Sequence, residues 1–162
     1  MNPAAALQTL LGRPSRLTLA VAESLTCGRV QAAIGAVSGA SDYFLGGVTA
    51  YSLAQKVKLL GVNRAHARRV NCVSQRVAVE MAQGACELFG ADIGVATTGY
   101  AEPSRADGIK TPMAWWALCH VRRGGREEIV SGQIEMPGAT RIQAQERVTQ
   151  EVLRQLAAYL RG

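Results

Sequence analysis

The chain has 162 residues, 48% of them hydrophobic and only 19% charged, with a mean hydropathy of +0.06. A chain of this length buries about 70% of the surface its unfolded form exposes, so a single domain over 1–162 needs no disulfide or metal staple, and the composition excludes a disordered, fibrous or membrane-embedded protein. The net charge of +6 rests on scattered arginines and just three lysines, Lys56, Lys58 and Lys110. With no basic run and no interleaved aromatics, this argues against nucleic acid as a partner.

Residues 4–12 predict a short helix that ends at Gly12, with Pro14 blocking its continuation. Residues 17–22 (LTLAVA) form an apolar run suited to a strand buried on both faces. Glu23 to Thr26 offer N-cap chemistry for a helix over 26–37, and Ser38 to Ser41 break it. Residues 46–51 predict a second strand. Residues 52–60 predict a helix capped by Ser52 and closed by Gly61. From Ser74 to about Phe89, the residues Val77, Met81, Ala85 and Leu88 repeat at helical spacing. Residues 92–98 predict a third strand, followed by a polar loop from Gly99 to Thr111. Residues 113–121 and 127–136 alternate as a hairpin turned at Gly124-Gly125. The helix over 140–160 carries Val148, Val152, Leu156 and Leu160 at four-residue steps. Helices alternate with strands early and a hairpin comes late. That order predicts an α/β fold, a three-layer α/β/α sandwich with a mixed, mostly parallel sheet.

The cysteines Cys27, Cys72, Cys86 and Cys119 lack zinc or disulfide spacing and read as small buried residues of a reducing cytoplasm. The start of the chain lacks a secretory pattern, and no apolar run spans a bilayer, so a cytoplasmic protein is expected. His66 and His120 stand alone and carry no metal signature.

In open α/β sheets, ligands bind outside the carboxyl ends of the strands. Three such ends are polar here: Glu23 to Gly28, Tyr51-Ser52 with Lys56 following, and Thr97-Thr98-Gly99. Ser24, at a strand-to-helix turn, suits a nucleophile beside backbone N–H groups; as a cap it would merely close the helix. Lys56, one turn into its helix, could be desolvated and act as a base, or be a solvated surface lysine. Tyr51 could relay a proton or hold the serine hydroxyl, or simply be a core aromatic with its hydroxyl at the rim. A serine–lysine pair is one known solution to acyl transfer without histidine.

The segment from Ala22 to Val62, with VSQRVAVEMAQGA and ADIGVATTG further on, resembles the CinA C-terminal domain family across nearly the whole chain. Its A-E-S-x-T-x-G element stands here as Ala22 to Gly28, and its Y-S-x-x-x-K element as Tyr51, Ser52 and Lys56. The resemblance implies a three-layer α/β/α domain, commonly dimeric or of higher homo-oligomeric order, that needs no metal or cofactor. It implies hydrolysis of the carboxamide of nicotinamide mononucleotide to nicotinic acid mononucleotide and ammonia. It carries the catalytic set onto Ser24, Tyr51 and Lys56. Glu23, Thr26, Gly28, Thr98, Gly99 and Arg141 fall in the motifs expected to hold the substrate, a small nucleotide or amide. The chain departs from the pattern where Cys27 replaces a glycine, where Glu102 stands in the expected glycine loop, and where Thr140 replaces an aspartate before Arg141. A carboxylate at Glu102 would repel a nearby phosphate. Two readings follow: an amidohydrolase of the nicotinamide-nucleotide kind with oxyanion donors between Thr26 and Gly28, or a non-hydrolytic paralogue or amidase for another small substrate.

Overall fold

In the computed structural model, which describes residues 3–12 and 17–162, the elements run α1 (Pro3–Leu11), β1 (Leu19–Glu23), α2 (Arg29–Gly35), a 3-10 turn (Ala40–Asp42), β2 (Phe44–Thr49), α3 (Leu53–Leu60), α4 (Arg64–Arg69), α5 (Gln75–Phe89), β3 (Ile93–Tyr100), β4 (Met113–Val121), β5 (Glu127–Glu135) and α6 (Arg141–Arg161). Pro14 lies outside the described residues. The strands form one sheet in the order β2-β1-β3-β4-β5. β1 pairs parallel with β2 and β3; β3–β4 and β4–β5 are antiparallel. The sheet is therefore mixed, its ladders evenly divided, and β4 alone runs against the other strands.

Helices cover both faces, which gives the expected sandwich. Alternation along each strand sorts the side chains between them. Leu19 and Val21, Ile93 and Val95, and Trp116 and Leu118 face α1, α2 and α6. The opposite face presents Ala20, Ala22, Ala96 and Ala117 to α3 and α5. These small residues let α5 lie close to the backbone. A Cβ on Gly94 would stand 2.0 Å from the Ala82 carbonyl oxygen, and one on Gly84 would stand 2.2 Å from that of Leu60.

Several boundaries differ from those expected, each for a local reason. The helix predicted over 26–37 begins only at Arg29, because Cys27 and Gly28 hold left-handed φ values of 51° and 93°. Ser24 is accordingly not its cap. β3 runs on to Tyr100 because Gly99 and Tyr100 pair with Ala114 and Met113. The short α4 escapes periodicity analysis because Ala67 is its one buried residue; the Asn63 side chain caps it by accepting from the His66 N–H. Thr140 and Gln143 form a capping box at the start of α6. Of the four cysteines, Cys86 and Cys119 are buried as expected, whereas Cys72 is half-buried and Cys27 exposed; all are free thiols. No described helix is long and apolar enough to cross a membrane.

Candidate active site

The parallel register brings three strand ends together. Glu23 sits opposite Thr49 on one side and Thr97 on the other. The Ser24 N–H donates to the Thr97 carbonyl (3.0 Å), and the Ala50 N–H donates to that of Glu23 (2.9 Å). These bonds prolong the two ladders by one residue beyond β1. Ser24, Tyr51 and Thr98 thereby line one cleft of about 350 Å³. Its position outside the carboxyl ends of parallel strands is where open α/β sheets place ligands.

Lys56 is the centre of the site. Its side chain is 1% exposed. Nζ donates to Ser24 Oγ (2.8 Å) and to the carbonyls of Ala50 (2.8 Å) and Tyr51 (2.9 Å). Burial pushes its ammonium down from 10.5 to about 8, opposed by the nearby Cys72 thiol. A neutral lysine has two N–H donors and one lone pair. With the donors on the two carbonyls, the lone pair is left for the serine hydroxyl proton. The Ser52 cap, whose Oγ accepts from the Gln55 N–H, begins α3 at the residue that sets Lys56 one turn in and facing inward. Ser52 and Leu53 also line the cleft, so the positive end of α3 opens into it.

The turn after Ser24 is held internally. The Glu23 carboxylate, fully buried, accepts from the N–H groups of Gly28 (3.0 Å), Val30 (3.1 Å) and Gln31 (2.9 Å) and so caps α2 in place of Ser24. The Thr26 and Thr97 hydroxyls share a hydrogen bond of 2.7 Å. Glu23, Thr26 and Gly28, expected to hold substrate, have these groups engaged in holding the turn after Ser24. The expected oxyanion donors change with this. The Cys27 N–H goes to the Ser24 carbonyl and that of Gly28 to Glu23, while those of Leu25 and Thr26 have no acceptor among the described residues.

Tyr51 is placed differently from its expected role. Its phenol is 54% exposed and accepts from Arg141 Nη2 (2.9 Å); only its backbone carbonyl meets Lys56. Arg141 Nη1 also lies 3.4 Å from Glu102 Oε1. Tyr51, Glu102 and Arg141 line a second cavity of about 240 Å³ that shares Leu25, Gly99 and Tyr100 with the nucleophile's cleft. Thr98 and Gly99 reach the site as expected. The Thr98 hydroxyl donates to the Cys72 carbonyl (2.7 Å) and ties β3 to the loop before α5. A Cβ on Gly99 would meet the Met113 carbonyl oxygen at 2.4 Å.

Two residues of the cleft carry no motif in the sequence. Asn71 and Cys72, with φ of 47° and 62°, turn the chain into the cleft wall. An N-C pair before a helix cap is the only local signal for that turn, because asparagine tolerates this conformation. His66 and His120 stand elsewhere, bonded to Ser74 Oγ (3.0 Å) and the Tyr159 hydroxyl (3.0 Å). Among the described residues, no group of three or more His, Cys, Asp or Glu side chains could hold a metal ion.

Residues 3–160 match the CinA C-terminal domain family. A CinA-like protein of Chlorobium limicola is 39% identical over 161 residues, covering 95% of this chain and 37% of that protein. One from Picosynechococcus is 50% identical over 98 residues, covering 60% of this chain and 23% of that protein. The chain thus spans well under half the length of these curated relatives. Among solved structures, a CinA superfamily protein from Escherichia coli superposes with a TM-score of 0.83 at 29% identity, covering 96% of this chain and 87% of that one. One from Klebsiella pneumoniae superposes with a TM-score of 0.87 at 26% identity, covering 98% and 95%.

Proposed function

The chain belongs to the CinA C-terminal domain family, and from its site we propose that it is a serine amidohydrolase that releases ammonia from a primary carboxamide of the nicotinamide class. The observation that carries this reading is the buried Lys56 Nζ at 2.8 Å from Ser24 Oγ, with its other two bonds on backbone carbonyls.

In the acylation step, neutral Lys56 accepts the hydroxyl proton as Ser24 Oγ adds to the amide carbon. The oxygen of the tetrahedral adduct takes the negative charge, and the donors that could answer it at the cleft wall are the Leu25 N–H, without an acceptor among the described residues, and the start of α3. Collapse re-forms the carbonyl and breaks the C–N bond. The nitrogen takes the proton from the Lys56 ammonium and leaves as ammonia. Water then adds to the ester carbon with Lys56 again accepting a proton. Breaking the C–Oγ bond frees the carboxylic acid and returns the proton to Ser24. Tyr51 supports this chemistry through its carbonyl, which holds Lys56, while its phenol shapes the rim with Arg141.

The test is ammonia release from nicotinamide, nicotinamide riboside and nicotinamide mononucleotide by the wild type and Ser24→Ala. Turnover of at least one compound, lost by at least about 10³-fold in the variant, is expected. No turnover of any of the three by the wild type, or equal rates in the variant, refutes the reading.

A further inference from the structure

The groove around the nucleophile is unusual in how its charges are matched. Three cavities meet at Tyr100: the cleft with Ser24, the cavity with Glu102 and Arg141, and a third of about 250 Å³ lined by Arg69 and Asp107. Each flanking cavity therefore contributes one cation and one carboxylate. Arg141 has both terminal nitrogens engaged, Nη2 on the Tyr51 hydroxyl and Nη1 toward Glu102. Among the described residues, the only cation lining the cleft itself is Lys56, with all three ammonium donors committed. Arg105 and Lys110 line none of the three cavities. Asp107 is further fixed on the groove side by the Ser104 hydroxyl (2.6 Å) and by the Asn71 amide (3.3 Å).

A phosphate dianion reaching from a carboxamide in the cleft into the cavity of Glu102 would meet a guanidinium already matched by a carboxylate 3.4 Å away. Binding it there either leaves two like charges adjacent or displaces Glu102 from Arg141. A neutral substituent meets neither obstacle, and the Glu102 carboxylate and Tyr51 hydroxyl offer it acceptors.

We infer that the site takes a primary carboxamide bearing no phosphate, with a neutral substituent in the Glu102–Arg141 cavity, and that the Glu102–Arg141 pair is what turns the phosphorylated form away. This rests on the amidohydrolase reading and narrows its substrate class. Glu102 is a specificity residue here, exposed enough that its replacement leaves the fold intact.

The experiment compares nicotinamide riboside with nicotinamide mononucleotide, which differ only by the phosphate. Wild type is expected to show the higher kcat/KM for the riboside. Glu102→Gln keeps the shape and frees Arg141, and is expected to move the ratio of the two kcat/KM values toward the mononucleotide by roughly tenfold, equivalent to about 1.4 kcal/mol. In the double variant Glu102→Gln, Arg141→Ala, that gain is lost, because the freed guanidinium is its source. Preference of the wild type for the mononucleotide, or a shift under threefold in Glu102→Gln, overturns the inference while leaving amide hydrolysis standing. If the wild type hydrolyses neither compound, the inference is read from binding, and hydrolysis itself has failed only if nicotinamide is not turned over either. Calorimetric titration of the same pair onto wild type and Glu102→Gln then reads the preference from Kd. Equal affinities, or binding of neither, overturn the inference as well.

Discussion

Replacing Lys56 with methionine tests the heart of the site by two readouts that share one cause. Burial holds the Lys56 ammonium near 8 instead of 10.5. At pH 7 about one lysine in ten is then neutral, against about one in three thousand for an ordinary lysine, so the base is populated roughly 300-fold better. With Lys56 as the base, kcat/KM for ammonia release rises from pH 6 and levels off above an apparent value of about 8. The same shift appears in stability. Because the folded value lies below the unfolded one, the folded state binds fewer protons between pH 8 and 10.5, and stability rises with pH across that window. Below pH 8 both states are protonated and the full penalty, about 3 kcal/mol, is present. Lys56→Met has no such titration. Denaturant unfolding of both proteins from pH 7 to 9.5 should therefore show the wild type gaining about 2 kcal/mol relative to the variant. A constant difference across that range, or a rate limb near 10, would refute the assignment of Lys56 as a desolvated base.

The remaining predictions concern the supports of the site. Glu23→Gln leaves one carbonyl oxygen for the three N–H groups that the carboxylate now accepts, and should cost about 2 kcal/mol in denaturant unfolding. Tyr51→Phe should change ammonia release by less than about tenfold, because the phenol bonds Arg141 and not Ser24; a loss as large as that of Ser24→Ala would place it on the proton path. Gly94→Ala drives a methyl into the Ala82 carbonyl and should destabilise by about 3 kcal/mol or more, visible as a lowered Tm. The buried Tyr43 hydroxyl has no partner among the described residues, so Tyr43→Phe should stabilise by about 1 kcal/mol in the same unfolding assay.

Patterns that repeat over many residues were legible before any coordinates. Val77, Met81 and Ala85 of the expected α5 stripe are buried as their spacing predicts, whereas Leu88, its fourth member, is 46% exposed in the last turn of the helix; β4 and β5 pair in the register that alternation and Gly124-Gly125 imply. Ser24 and Lys56 were recognisable because their motifs lie at strand ends, and strand ends are where an α/β sheet opens. Single-residue roles were not legible in the same way. Nothing in the order of residues distinguishes Glu23 as a helix cap from Glu23 as a substrate ligand. The difference lies in the left-handed turn at Cys27 and Gly28, which brings three N–H groups onto its carboxylate.

The sequence by itself therefore determined the layer architecture and the chemical types at the site. Both follow from periodicity and from residue identity, which are local properties. The tertiary structure decided which polar groups are free to act. Arg141 meets Tyr51 across 90 positions of chain, and Lys56 meets Ser24 across 32. Only the packed sheet sets those separations to hydrogen-bond length. Only the same packing removes water from Lys56, and without that desolvation its amine would remain an ordinary ammonium.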